Sequence, residues 1–229
     1  TLADKVKSGR MEQSSFMTRL AGALGSAVVE AKPLAAGFGL AGDPVPVTCE
    51  PFRQWVLEDS FPAGRPALEK LGVTFSDKVH AFELMKLRIL NGGHAIIAYP
   101  GGLMDIEFVH EAMSDPLIAG FLAKVEREEI LPIVPPVPDT DLGDYYAKIV
   151  ERFSNPEVAD TERRLCFDGS NRQSKFIVPS LRDNLVKGHL PRGLILESAL
   201  WCRYCMGKTE SGQDIAPNDP DWDRLNAIA

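Results

Sequence analysis

The sequence is poor in the features that mark the less ordinary protein classes. No apolar run approaches the roughly 18 residues that a membrane-crossing helix needs. Cysteine is scarce: Cys49, Cys166, Cys202 and Cys205 are the only four in 229 residues. That excludes a disulfide framework and points to reduced thiols in a cytoplasmic protein. Basic charge is the minority sign, with 25 Lys and Arg against 32 Asp and Glu and a net charge of -7. An acidic surface repels phosphate backbones, which disfavours nucleic-acid partners. The opening residues Thr1-Leu2-Ala3-Asp4 lack a basic stretch followed by an apolar one, so no secretory signal is read there. Starting on Thr, the chain reads as a processed or shortened product. There is no internal repeat and no low-complexity tract. What is present in quantity is apolar side chain, 45% of the residues. A domain of this length hides roughly 70% of its unfolded surface, so neither metal stapling nor long disorder is expected.

The patterning divides the chain. Residues 13–31 read as a helix, with Phe16, Leu20, Leu24 and Val28 on one face. Residues 44–59 alternate at Val45, Val47 and Cys49 and suggest one or two strands. Residues 60–66 form a turn, 67–71 a short helix closed by Gly72, and Val73-Thr74-Phe75 a short strand. From residue 78 onward helical spacing dominates. Helices are expected over 81–99, where Pro100-Gly101-Gly102 ends the run, and over 103–113, 116–131, 141–153, 156–163, 176–187 and 190–206. Asp115-Pro116 and Asn155-Pro156 place proline at the first helical position. Asp139 or Thr140 is the candidate cap of the 141–153 helix. The tail, 207–229, reads as polar turns. The expected class is mainly α, preceded by a small strand-bearing piece.

Several motifs compete for a function. Gly37-Phe38-Gly39-Leu40-Ala41-Gly42 has the G-x-G-x-x-G spacing, but a helix precedes it and Asp43-Pro44-Val45-Pro46 comes directly after. Prolines cannot open a phosphate-binding helix with free amides, so this is a loop. Cys202-Arg203-Tyr204-Cys205 is a CxxC inside a helical run with no further ligands at zinc spacing. His110-Glu111 starts like a metalloprotease motif, but Ser114 stands where a second histidine is needed. No metal site is expected. The segment from Lys86 to His94 is more informative. On an α-helix, Lys86, His94 and Asn91 fall at about 0°, 80° and 140°, within one arc of an otherwise apolar helix. One reading is a structural helix with a single polar face. The other is a site, in which a desolvated Lys86 serves as acid or base while Asn91 and His94 bond a substrate oxygen. Gly92 and Gly93 weaken a helix, and close approach by a ligand or another backbone would account for them. A second cluster, Arg163 to Phe176, flanks an Asp168-Gly169 turn with Arg164, Arg172 and Lys175. It suits an anion or polyol hydroxyls, or it is a solvated loop.

Three ordered stretches together resemble the polyol-specific long-chain dehydrogenase/reductase family, the mannitol dehydrogenases. They are Cys49-Glu50-Pro51-Phe52 with Trp55-Val56-Leu57-Glu58-Asp59, the K-x-x-x-x-N-x-x-H pattern of Lys86, Asn91 and His94, and Arg164-Leu165-Cys166-Phe167-Asp168-Gly169-Ser170. The resemblance covers about residues 34–229. It implies metal-independent hydride transfer between NAD or NADP and a polyol or ketose of the mannitol/fructose type. In that family's terms Lys86 is the acid/base on the reacting oxygen, Asn91 polarises that oxygen, His94 holds substrate hydroxyls, and Arg164 and Arg172 line the substrate end. The implied fold is a multi-helical C-terminal domain of the mannitol dehydrogenase and 6-phosphogluconate dehydrogenase type over 78–229. Residues 33–77 would be the end of a dinucleotide-binding domain, and residues 1–32 a helical segment without a family match. A full N-terminal nucleotide-binding domain is not expected on this chain, which resembles the C-terminal part of such an enzyme. The contrasting expectation is a catalytically silent helical module that pairs with a separate nucleotide-binding chain through an uncovered apolar face. No membrane partner is expected.

Overall fold

A computed structural model describes Glu50 and residues 52–229. The helix read at 13–31, the alternation at Val45, Val47 and Cys49, and the Gly37–Gly42 motif lie outside the described residues. Two compact units divide the chain: Thr1–Phe52 with Glu157–Ala159, and Arg53–Pro156 with Asp160–Ala229. Among the described residues, both strands and all of the α-helices belong to the second unit.

It starts with two short strands, β1 (Val56–Leu57) and β2 (Thr74–Phe75), paired in parallel with Val56 opposite Thr74. Parallel strands need a crossover between them. Here it contains a 3-10 turn, Leu68–Leu71, which Gly72 closes at φ 88°. Arg65 ties the crossover together. Its guanidinium lies 3.4 Å from the Phe75 ring centre and bonds Asp59 at 2.9 Å and Glu69 at 2.6 Å.

The remainder is helical. α1 (Val79–Met85) runs through a π-helical turn, Lys86–Asn91, into α2 (Gly92–Leu103). Next come α3 (Val109–Ser114) and α4 (Pro116–Val125), and α4 continues through a second π turn, Glu126–Ile130. Asp115 caps α4 by accepting bonds from the Leu117 and Ile118 amides, with Pro116 at the first helical position as expected. α5 (Leu142–Phe153) is capped by Asp141, one residue beyond the candidates Asp139 and Thr140. The helix expected over 156–163 forms only as a 3-10 turn, Pro156–Val158, and then as α6 (Glu162–Leu165), which starts afresh at the Thr161 cap. α7 (Gly169–Arg172) leads through a third π turn, Gln173–Ile177, into α8 (Val178–Val186), and α9 (Arg192–Cys205) comes after it. The tail holds a helix where polar turns are expected, α10 (Trp222–Ile228), anchored by buried Trp222.

Two of the π turns have a visible cause. Pro132 and Pro179 stand just beyond them. A proline ring collides with the carbonyl four residues back, and widening the preceding turn moves that carbonyl aside.

α2 is the centre of the unit. It packs against α3, α4, α6 and α9. Ala95, Ile96, Ile97, Ala98 and Tyr99 are all buried, so no side of this stretch faces water. A helix apolar all round belongs inside. The expected stop at Pro100 does not occur, and α2 continues to Leu103. Packing on all sides overrides the local penalty of a helical proline, roughly 3 kcal/mol. Gly101 is what lets α6 come close: a Cβ there would lie 2.7 Å from the Glu162 carboxyl carbon.

Two core carboxyls are pushed far up by burial. Glu162, fully enclosed, rises to about 9, with Asp160 adding to the effect. Glu197, bonded by Gln173 at 2.5 Å, rises to about 8.

This packing fixes the sign of two glycine substitutions. Gly101→Ala is expected to destabilise the fold by about 1–3 kcal/mol through overpacking. Gly120→Ala, exposed on α4 with no atom near the added methyl, is expected to stabilise it by about 0.5–1 kcal/mol. Urea midpoints of the two variants decide the matter; shifts of the same sign would refute the packing account. The buried carboxyls set a pH dependence as well. Glu162 and Glu197 hold their protons more tightly in the folded chain than at their ordinary value of 4.5. Their contribution to stability is therefore complete below that value and declines as pH climbs toward 8 and 9. Melting temperatures measured between about pH 5 and about pH 9 should fall, and the Glu162→Gln/Glu197→Gln double variant should flatten the fall. An equally steep decline in the double variant would exclude these carboxyls as its source.

Candidate active site

The three residues of the K-x-x-x-x-N-x-x-H pattern lie on one continuous helical stretch, but not on a plain α-helix. Lys86 opens the π turn, Asn91 closes it, and His94 stands in the first turn of α2. The angles expected for an α-helix therefore need correction. Bonding to the fifth residue instead of the fourth winds the chain fewer degrees per residue, which brings Lys86 and Asn91 closer in azimuth. Lys86 is exposed, so the desolvated lysine considered from the sequence is not found. Asn91 and His94 are partly buried. Among the described residues, no hydrogen-bond partner holds the side chain of Lys86, Asn91 or His94.

His94 is the electrostatic focus. Its ring stacks on Phe153, with centres 4.3 Å apart and planes 20° from parallel. Protein packed around the imidazole lowers its pKa well below 6.5, and the charges of Arg164, Arg172, Arg152 and Lys86 push in the same direction. The ring is therefore neutral near pH 7, with one nitrogen to donate and one to accept. The four cations acting on it come from four places: the first π turn, α5, α6 and α7. The two arginines singled out in the sequence thus share a field with the lysine–asparagine–histidine stretch, although about 70 residues of chain separate them. Lys175 is not among the charges acting on His94.

Each arginine is held. Arg164 forms a two-pronged ion pair with Asp160, one helical turn back. Arg172 donates to the Leu165 carbonyl and lies 5.9 Å from the Phe176 ring. Burial lowers the Arg172 pKa from its usual value. The Asp168-Gly169 turn is real: Asp168 adopts φ 61° and opens α7. Asp219 secures the first turn of α7, accepting from the Ser170 amide at 2.7 Å and its hydroxyl at 2.8 Å.

Of the two helix glycines only Gly93 answers to close approach, and to side chains rather than to a backbone; a Cβ on Gly92 would make ordinary contacts. A Cβ on Gly92 would come 3.9 Å from the Phe176 carbonyl. One on Gly93 would meet the Glu126 carboxyl at 3.2 Å and the Phe153 ring at 3.4 Å. Sequence reasoning missed Phe153, Arg152 and Glu126. For Glu126 a signal existed. It extends the Ile118 and Leu122 series at a spacing of four, which puts a carboxyl on the face that packs inward. Nothing local marks Phe153 or Arg152.

The other motifs are structural. Cys202 and Cys205 are free thiols on α9, one exposed and one buried. Cys166 is buried with its sulfur 3.2 Å from the Ala98 carbonyl. His80 pairs with Glu83 at the surface, and His110 stacks against Phe108. Among the described residues, no group of three His, Cys, Asp or Glu side chains is gathered for a metal ion, and no helix is long and apolar enough to cross a membrane.

Comparison with known proteins bears on the family and the fold of the helical unit. Residues 78–229 match the family model of the mannitol dehydrogenase C-terminal domain. A mannitol 2-dehydrogenase of Cereibacter sphaeroides is 72% identical over 194 residues, which cover 85% of this chain and 40% of that protein. Mannitol dehydrogenase 2 of Saccharomyces cerevisiae is 41% identical over 204 residues, or 87% of this chain and 40% of that one. Among solved structures, the Pseudomonas fluorescens mannitol 2-dehydrogenase in ternary complex with NAD and D-mannitol matches with a TM-score of 0.76 at 41% identity, over 81% of this chain and 38% of the other. A substrate-free D-sorbitol dehydrogenase matches with a TM-score of 0.78 at 28% identity, over 86% and 43%. The chain spans about 40% of the length of these curated relatives. Both the helical architecture and the family match lead to one conclusion: this chain belongs to the mannitol dehydrogenase family and carries that family's C-terminal domain.

Proposed function

We propose that the chain forms the substrate-handling part of a metal-independent, NAD- or NADP-dependent oxidoreductase that interconverts a polyol and a ketose of the mannitol/fructose type. The observation that carries this reading is the common field at His94, to which Lys86, Arg164 and Arg172 all contribute. In this reading Lys86 takes the hydroxyl proton during oxidation and returns it during reduction. Asn91 donates its amide to the oxygen as negative charge grows there. Neutral His94 bonds the neighbouring hydroxyls, and Arg164 and Arg172 bind and orient the far end of the polyol. These donors suit hydroxyls and a developing alkoxide. None of the five makes a pyrophosphate cradle of helix N-terminal amides, so no dinucleotide contact is assigned to them. A bound nicotinamide supplies the hydride chemistry. In the same reading residues 33–77 are the end of a dinucleotide-binding domain, 78–229 the substrate domain, and the protein works in the cytoplasm.

The test is absorbance of the reduced cofactor with mannitol, fructose, arabinitol and fructuronate, each with NAD(H) and NADP(H). Turnover unaffected by a chelator is the expected result where this part recruits the nicotinamide by itself; no turnover and no NADH binding would favour the silent module that pairs with a separate nucleotide-binding chain. Lys86→Ala should lower kcat by about 10²–10⁴, the usual contribution of a positioned acid or base. Arg164→Ala should mainly raise KM, by roughly tenfold to a hundredfold, as fits one lost charge-assisted bond. Turnover that survives Lys86→Ala would sink the assignment.

A further inference from the structure

Glu126 is the least explained group near the site. It is fully buried, in the π turn that continues α4. Neither carboxylate oxygen has a hydrogen-bond partner, and neither does the Tyr145 hydroxyl. Burial drives its pKa well up, against the charged form. Tyr145 and Tyr146 of α5 lie within its electrostatic reach, with Arg127 beside it on its own turn and Arg152 linking Tyr145 to His94. Burying a polar group without a partner costs several kcal/mol, and an apolar side chain of the same shape would avoid the cost. The π turns Lys86–Asn91 and Glu126–Ile130 pack on each other. At that junction the Glu126 carboxyl sits against Gly93, the residue before His94, beside the Phe153 ring on which His94 stacks.

We propose that Glu126 is a positioning residue of the polyol site: its buried carboxyl backs the Gly93–His94 turn and the Phe153 ring, and so sets where the imidazole points. A polar acid stands there at an energetic loss, and its length and flat carboxyl end fill the space behind that wall. The proposal rests on the assignment of His94 to the substrate site. It adds that the wall behind His94, not only the residues in front of it, determines affinity for the polyol.

The experiment uses the whole chain and reads His94 directly. The sequence has four histidines, so imidazole proton resonances are few, and loss of one in His94→Gln assigns the signal. Glu126→Met removes the polar atoms while keeping an unbranched side chain. It is expected to leave the melting temperature equal or higher, to displace the His94 resonance, and to weaken D-mannitol binding on the order of tenfold. Glu126→Gln, which keeps a neutral polar group, is expected to restore most of the His94 resonance position and of the affinity. A stable Glu126→Met protein with an undisturbed His94 signal overturns the proposal, and so does a Glu126→Gln protein as disturbed as Glu126→Met. If Glu126→Met does not fold, Gly93→Ala takes its place. Its added methyl would press on the Glu126 carboxyl and the Phe153 ring, and an unmoved His94 signal would again overturn the proposal. Absence of any mannitol effect in the unaltered chain would count against the polyol function, while the ligand-free comparison of His94 would still decide the role of Glu126.

Discussion

Everything in the helical unit depends on the enclosure of one helix. α2 has no solvent face through its middle, so each neighbour must meet it at backbone distance or fill a gap beside it. Its glycines decide which contact occurs where. At Gly93 the contact is a carboxyl and an aromatic ring, and at Gly101 another carboxyl. Burial pushes both carboxyls toward the uncharged form. The site gains from this enclosure. A histidine at the end of a helix clamped on all sides has few ways to move, and pre-set geometry is what a reacting hydroxyl needs.

The second constraint is electrical. The chain as a whole is acidic, yet around His94 the local charge is positive. Two of the contributing cations are already engaged, Arg164 by Asp160 and Arg172 by a carbonyl, which fixes their direction without removing their field. The imidazole stays neutral in that field and can therefore both accept from and donate to hydroxyls. A protonated ring could only donate.

Much of this is legible in the sequence because helices and caps are local. The Asp115-Pro116 start, the long helical run that opens at Val79, and the close approach at Gly93 all show in a few neighbouring residues. The misses have a common origin. Pro100 reads as a stop because local propensity knows nothing of the four helices packed around α2. The tail reads as polar turns because Trp222 is one aromatic residue among acids, and only its burial makes it an anchor. The π turns are invisible to a fixed 3.6-residue period, so angles drawn on a plain α-helix misplace Lys86, Asn91 and His94 relative to one another. The grouping of Arg164 and Arg172 with His94 is legible only through the ordered motifs, since no periodicity spans that distance.

The turn from Lys86 to Asn91 has a consequence for how such a site arises. A π turn is, in register, an α-helix with one residue to spare. Remove one residue between Lys86 and Asn91 and the helix closes as an ordinary one, with its two flanks in nearly the same relative orientation as before. The widened turn takes up its extra residue locally, and the helix on either side keeps its facing with or without it. A single-codon deletion is therefore absorbed more easily inside this turn than anywhere in the plain α-helical part of the same run, where it would swing the flanks apart by about 100°.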